Sequence, residues 1–279
     1  MKTGFLGLGQ MGREMAARLV GAEHELVVYN RSPAPAQAFQ GRARIASSPR
    51  EAVDAEIVVT MLADDAAVDA VWSGLELPAA CVHVNMATVS TGLAQRFAAR
   101  QKRYVAAPVF GRPAAAARGE LDIIAAGPPE AIERCRPLFA VLGKQVFVVG
   151  AAPAQANAVK IARNFLLSTV IEGLGEAIAL ARSSGVSPQG FLDVITGTSL
   201  AAPAYRNYGK LMVERKYEPA QFSMQLGLKD VELALATARE HGVPLPTAML
   251  IRKNLLKAIE AGHGHEDWAA LAEYLKESG

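Results

Sequence analysis

Two groups of residues in this 279-residue chain have the types and spacing that chemistry requires. The first is Gly7-Leu8-Gly9-Gln10-Met11-Gly12, a G-x-G-x-x-G. It follows an apolar run and opens a helical pattern. Gly7 permits the tight turn, Gly9 lets the backbone approach a pyrophosphate, and Gly12 lets the helix pack close to the strand. The backbone N–H groups that open the helix, those of Gln10, Met11 and Gly12 among them, present partial positive charge to the anion. The second group is Lys160 with Asn164. Four apart on a helical pattern, they share a face and can address the same small molecule. Lys160 stands among Ala158, Val159, Ile161 and Ala162. Partial burial lowers the pKa of an ammonium and suits it to donate a proton. A lysine on a helix is more often a solvated surface residue, and spacing alone leaves both readings open.

The elements that must position these residues alternate in the first half. Strands are predicted at Lys2–Leu8, Glu25–Tyr29, Glu56–Leu62, Cys81–Asn85, Tyr104–Pro108, Leu121–Ala126 and Gln145–Val149. Helices are predicted at Gly12–Val20, Ala34–Gln40, Pro49–Ala55 and Ala66–Trp72. Strands such as EIVVTML are apolar on both faces, as in a parallel sheet covered on both sides. The fold class expected is α/β, a Rossmann-type doubly wound sheet. Past Gly150 every segment reads as helix. A long run from Gln155 to Ser183 spans roughly 42 Å at 1.5 Å per residue. Then come Pro188–Thr196, Pro203–Glu214, Met224–His241, Thr247–Ala261 and Trp268–Glu277. Gly185-Val186-Ser187 and Gly242-Val243-Pro244 punctuate them as helix ends do. The expected domains are 1–158, a dinucleotide-binding domain, and 159–279, an all-helical domain, joined by the long helix.

Composition narrows the function. Lys plus Arg number 29 against 27 Asp plus Glu, a net charge of +2. That is too small to indicate a nucleic-acid or membrane-surface protein. Two cysteines argue against a disulfide scaffold or a cysteine metal site. The five histidines share no spacing except His263-Gly264-His265, read as exposed loop residues, so no metal is expected. No leader is expected, since the opening residues run straight into a strand-like pattern. The apolar stretch 161–182 carries Arg163, Glu172 and Glu176, which would be costly in lipid. A cytoplasmic protein is expected. Asp64 and Asp65 are read as ending the third strand, Asp64 bordering the cofactor and Asp65 solvated.

Which dinucleotide is expected follows from the end of the second predicted strand. There Asn30-Arg31-Ser32 stands where an NAD site carries a carboxylate for the ribose 2′-OH. A guanidinium pairs with a 2′-phosphate that a carboxylate would repel. The residues Asn30, Arg31 and Ser32 therefore predict NADPH over NADH.

Four stretches in order resemble the β-hydroxyacid dehydrogenase family, relatives of 3-hydroxyisobutyrate and 6-phosphogluconate dehydrogenases. They are GFLGLGQMGREMAARL at 4–19, VTMLAD at 59–64 with NMATVS at 85–90, APVFG at 107–111, and Lys160 with Asn164. Phe222 with Leu228-Lys229-Asp230 is a weaker fifth. The resemblance implies hydride transfer between nicotinamide and a carbonyl carbon at the domain cleft. Lys160 would protonate the alkoxide and Asn164 would hold the substrate. Met61, Leu62, Ala63 and Thr88 would line the nicotinamide, and Lys229 would close over the cofactor from the helical domain.

This chain departs from the family pattern in its substrate motif. A serine followed by two glycines is replaced by Phe110-Gly111-Arg112. Arg112 could pair with a substrate carboxylate, or Phe110 could make the pocket apolar. The expected activity is NADPH-dependent reduction of a small aldehyde or ketone, of the semialdehyde or 3-oxo acid type. The rivals are an imine reductase and a catalytically silent NADPH-binding protein. The long apolar helix suggests a homodimer or tetramer.

Overall fold

The computed structural model describes residues 1–22 and 24–274. Its contacts divide the chain into two compact units, Met1–Lys160 and a second that begins at Ile161. In the first unit a nine-stranded sheet is built from β1 (Lys2–Leu6), β2 (Glu25–Tyr29), β3 (Arg44–Ile45), β4 (Ile57–Thr60), β5 (Val82–Asn85), β6 (Tyr104–Ala106), β7 (Val109–Phe110), β8 (Leu121–Ala126) and β9 (Gly143–Gly150). The order is β3-β2-β1-β4-β5-β6-β8-β7, with β9 on β8. β3 to β6 along this order run parallel, Phe5 standing opposite Val28 on one side and Val59 on the other. β7 and β8 pair antiparallel, connected through a helix at 113–118. Strand order reverses between β1 and β4, the point at which open α/β sheets bind their ligands.

Helices cover the faces: α1 (Gln10–Gly21), α2 (Pro33–Gln37), α3 (Pro49–Ala52), α4 (Asp65–Trp72), α5 (Thr91–Arg100), α6 (Pro113–Arg118) and α7 (Pro129–Leu142). One core joins Phe5, Val28 and Val59 of the sheet to Met15 and Leu19 of α1 and to Leu138 and Phe139 of α7. Such side chains contribute about 1.5–3 kcal/mol each when fully buried. The opposite face carries a second core around Val58, Trp72, Phe97 and Tyr104. Within it His83 is fully buried, bonded to Thr60 Oγ1 at 2.9 Å and to Gln101 Oε1 at 2.7 Å. Burial pushes its pKa down to about 3, so it is a neutral, satisfied core residue.

The second unit is helical. The long helix α8 (Ala154–Ser183) enters it, the division between the units falling inside this helix. Then come α9 (Pro188–Gly197), α10 (Pro203–Glu214), α11 (Met224–Glu240), α12 (Pro246–Ala258), a π-helical stretch at Ile259–His263, a 3-10 turn at Trp268–Ala270, and α13 (Leu271–Tyr274). Its core gathers Ile171 and Leu174 of α8, Met212, Val231, Ile251 and Trp268.

Several expected boundaries shift for local reasons. β1 stops at Leu6, not Leu8, because Gly7 turns the chain with φ +102°. The expected strand 104–108 stops at Ala106; Ala107 and Pro108 separate it from β7, which lies beyond the expected range, and proline has no N–H to give a ladder. α5, α6 and α7 lie between the expected strands, in stretches given no expected element. In α7 the apolar spacing is helical, but Pro137 inside it reads as a breaker. The expected final helix 268–277 begins as a 3-10 turn, and positions 275–277 lie outside the described residues.

Candidate active site

The phosphate loop is shaped by close approach. Gly7 donates its N–H to the Tyr29 carbonyl at 2.9 Å, and a Cβ on it would stand 2.2 Å from Met61 O. A Cβ on Gly12 would stand 2.1 Å from Gly7 O, so α1 sits directly on the loop. Gly9 is the N-cap of α1, makes no side-chain cap, and has open space on its Cβ side. Gln10 and Met11 occupy the first turn. Exposed N–H groups at a helix start, with room beside them, fit a pyrophosphate.

Asn30 links this loop to the end of β2. Its Oδ1 accepts the Leu8 N–H at 2.8 Å and its Nδ2 donates to Ser32 O at 2.9 Å. Arg31 and Ser32 follow, both exposed. On the other side of β1, Met61 and Leu62 lie half-buried against Gly7, and Ala63 is exposed. Asp64 and Asp65 belong to the start of α4, not to the strand. Asp64 caps the helix by accepting the Ala67 N–H at 2.8 Å. Asp65, expected to be solvated, is half-buried: it accepts from the Ser90 N–H at 2.9 Å and from the Ser90 hydroxyl. A carboxylate beside a loop with unpaired donors is drawn in by them. Thr88, half-buried, lies in the same loop.

Lys160 is not a surface residue. It is 9% exposed, its Nζ donates to Val109 O at 3.0 Å, and the ammonium stands 4.7 Å from the centre of the Phe110 ring. β7 thus supplies both a carbonyl oxygen and an aromatic face to one cation. Gly111 and Arg112 continue from it, Arg112 half-buried as the N-cap residue of α6. Asn157, one turn before Lys160, is 1% exposed. Its Nδ2 donates to Val89 O at 3.2 Å, while its Oδ1 has no partner. The expected site did not include it, although its place three residues before Lys160 on a helix was a usable signal.

In the second unit Asn164 is 5% exposed and donates its Nδ2 to Asp230 Oδ2 at 2.6 Å. Lys229 Nζ lies 3.8 Å from Asp230 Oδ1. Asp230, quoted in the sequence only as part of a weak motif, is therefore the residue that orients the Asn164 amide. The structure brings Lys160 to Phe110, Asn164 to Asp230, and the glycine loop to Asn30 and Met61.

The remaining candidates are structural. Burial pushes the Cys81 thiol up to about 11 and that of Cys135 to about 12, so neither is a thiolate nucleophile. His263 bonds to Glu266 at 2.9 Å and stacks on Tyr274, and exposed His265 pairs with Glu218. The Trp268 ring is buried in its own unit, 4.8 Å from Phe222 between centres. Among the described residues no group of three or more His, Cys, Asp or Glu is placed to hold a metal ion.

Residues 2–150 match the family described as the NAD binding domain of 6-phosphogluconate dehydrogenase. Residues 154–275 match that described as NAD-binding of NADP-dependent 3-hydroxyisobutyrate dehydrogenase. The chain belongs to the β-hydroxyacid dehydrogenase family. An oxidoreductase of Bacillus subtilis named YfjR, itself uncharacterized, is 40% identical over 99% of this chain and 100% of its own length. Glyoxylate/succinic semialdehyde reductase 1 of Arabidopsis thaliana is 31% identical over 99% of both chains. The 3-hydroxyisobutyrate dehydrogenase of Mycobacterium tuberculosis, solved with L-serine, is 27% identical, with a TM-score of 0.89 and 99% of each chain covered. As a β-hydroxyacid dehydrogenase this chain is an NAD(P)-dependent oxidoreductase acting on CH–OH or C=O groups.

Proposed function

We propose that this β-hydroxyacid dehydrogenase uses NADPH to reduce a small aldehyde or ketone of the semialdehyde or 3-oxo acid type, with Lys160 as general acid. The observation that carries the reading is the buried Lys160 ammonium, held by Val109 O and the Phe110 ring one helical turn before Asn164. The open helix start at Gly9 and the backbone packed over Gly7 fit a nicotinamide dinucleotide. When bound and reduced, it supplies a hydride, two electrons and one hydrogen, to the carbonyl carbon. Lys160 Nζ gives a proton to the carbonyl oxygen as the C=O π bond breaks, so the product is the alcohol, and water restores the lysine proton. In the reverse direction the neutral amine accepts that proton. Asn164, oriented by Asp230, hydrogen-bonds the substrate. Met61, Leu62, Ala63, Thr88 and Lys229 hold the nicotinamide end, and Arg112 is the cation available to a remote substrate carboxylate.

Replacing Lys160 with Ala is expected to lower kcat by ~10²–10⁴-fold, the range for a lost general acid, while NADPH affinity changes little. Stopped assays of semialdehydes beside cyclic imines separate this reading from imine reduction, and turnover of imines alone would overturn it. Arg31 supports NADPH because an exposed guanidinium follows β2 where a 2′-phosphate would lie. The wild type is expected to favour NADPH over NADH in kcat/KM, and Arg31→Glu to erase that preference by ~10–100-fold, the worth of a charge-assisted bond. Equal use of both dinucleotides by the wild type would remove the assignment.

One helix among the described residues, α8, is long and apolar enough to cross a membrane by length and composition. Ile171, Leu174 and the Glu172 carboxyl are buried within its own unit, and we read it as a core helix of a cytoplasmic protein. Leu166 and Leu180 of α8 are 63% and 71% exposed, and Met249 of α12 is 65% exposed. Such apolar side chains suit a surface covered by a second copy in a homodimer or tetramer.

A further inference from the structure

A chain of hydrogen bonds through the core of the first unit plays no part in the proposed reaction. The Trp72 indole N–H, a group that can only donate, gives its hydrogen to Thr60 Oγ1 at 3.0 Å. The Thr60 hydroxyl stands 2.9 Å from His83 Nε2, and His83 Nδ1 stands 2.7 Å from Gln101 Oε1. The direction follows link by link. Thr60 Oγ1 accepts from the indole and turns its own hydrogen to His83 Nε2. The buried, neutral imidazole then carries its proton on Nδ1 and donates it to Gln101 Oε1. Gln101 Oε1 is thereby turned to the core, and Nε2 of the same amide is turned away from it with two N–H groups. Among the described residues nothing accepts from Nε2, and the atom is not among the fully buried ones.

Gln101 lines a cavity of about 930 Å³, the size of a small-molecule site. Its neighbours Arg100, Lys102 and Arg103, all exposed, line it too. Of the two carboxylates in the lining, Asp69 is already paired with Arg96 at 2.6 Å, which leaves Glu76. Arg103 gives an N–H to Ala79 O and has others to offer. Three cations and an amide thus stand against one carboxylate outside an ion pair, a balance that favours an anion. Apolar lining comes from Leu75, Leu77 and Pro78 and from the rings of Trp72 and Phe97. The cavity lies beside the residues that lead into β5 and β6, whereas the glycine loop and Met61 follow the ends of β1 and β4. These four strands are parallel, so the two places are at opposite edges of the sheet.

We propose that this cavity is a second binding site, for a small organic carboxylate with an apolar body. Gln101 Nε2 and a guanidinium of Arg100 or Arg103 hold the carboxylate oxygens, and the leucines and aromatic rings hold the body. The Trp72–Thr60–His83 chain keeps the amide in its binding orientation. Turned over, Gln101 would set its own N–H groups against the proton on His83 Nδ1.

The test is calorimetric titration of the full chain, saturated with NADPH, with benzoate, benzamide and inorganic phosphate as probes. Benzoate is expected to bind with a Kd of ~0.1–1 mM, in the range for a ligand of its size. Benzamide, which lacks the charge, and phosphate, which lacks the apolar body, are each expected to bind at least ~10-fold more weakly. Gln101→Glu keeps an acceptor for His83 but replaces the outward N–H groups with a like charge, and is expected to weaken benzoate at least ~10-fold. Arg100→Glu, an exposed change, is expected to weaken it by about 3-fold. Melting curves report that each variant is folded, and Arg100→Glu decides alone if Gln101→Glu is not. No saturable binding of benzoate, equal binding of benzamide or phosphate, or a benzoate affinity that the folded variants leave unchanged overturns the site. Binding at the reductase site would give that last result, since neither variant touches it.

Discussion

Among the described residues of the second unit, two amide–carboxylate pairs start from the same long helix. Asn164 of α8 donates to Asp230 of α11, and two turns later Glu172 of α8 accepts from Asn254 of α12. All three α8 and α11 members are at most 5% exposed, and each carboxyl keeps one oxygen without a hydrogen-bond partner, Asp230 Oδ1 and Glu172 Oε2. Their surroundings differ in sign. Asp230 has the Lys229 ammonium 3.8 Å from its unbonded oxygen. Glu172 meets the like charge of Glu176 one turn along, and burial, the larger effect, raises its pKa above the ordinary carboxyl value. The same pair chemistry therefore serves two ends. Beside a lysine it fixes the direction of an amide one turn after Lys160. In an apolar core it becomes a cross-link between helices that holds its proton to higher pH.

The larger way to break this contrast is Asp230→Ala. It strips a buried amide of its acceptor, which costs about 1–3 kcal/mol when left unsatisfied. If that cost falls on substrate positioning, kcat/KM for the carbonyl falls by ~10–100-fold with NADPH binding unmoved. An equal loss of Tm with no kinetic change would make the pair merely structural, like its counterpart.

The smaller test sharpens the other side. Because the folded state raises the Glu172 pKa, the native protein binds the extra proton between the ordinary value and the raised one. The stability linked to that proton is complete at low pH and is lost as pH rises through the window. Glu172→Gln keeps the acceptor for Asn254 and removes the ionisation. Its Tm should match the wild type near pH ~4 and exceed it once pH has risen through that window, each ~1 kcal/mol of difference moving Tm by about 2–4 °C in a domain this size. A gap that does not change with pH would mean that the carboxyl is not the titrating group. Turnover should be unaffected by this change, in contrast to Asp230→Ala.

How much could be read beforehand varies with the range of the interaction. The glycine loop was legible because its glycines answer to local demands, a turn at Gly7 and close approach at Gly12. That Lys160 and Asn164 stand four apart on one helix was legible from helical spacing. Asp65 was misread because its partner, Ser90, lies 25 residues on. α7 was given no expected element, although its buried positions recur with helical spacing on both sides of Pro137. Asn157 was missed because its burial depends on the loop at Val89.

Local order in this chain, its alternating strands and helices, its dinucleotide loop and the α-helical run beyond Gly150, follows from residue type and period alone, since turns, caps and amphipathic faces are decided within a few residues. What surrounds each polar group was settled only when distant segments met. That the Lys160 ammonium faces an aromatic ring, that Asn164 is answered by Asp230 across 66 residues, and that Glu172 is left among apolar side chains are matters of burial and partner. Charge is governed by what lies within a few ångströms in space, and the sequence orders neighbours only along the chain.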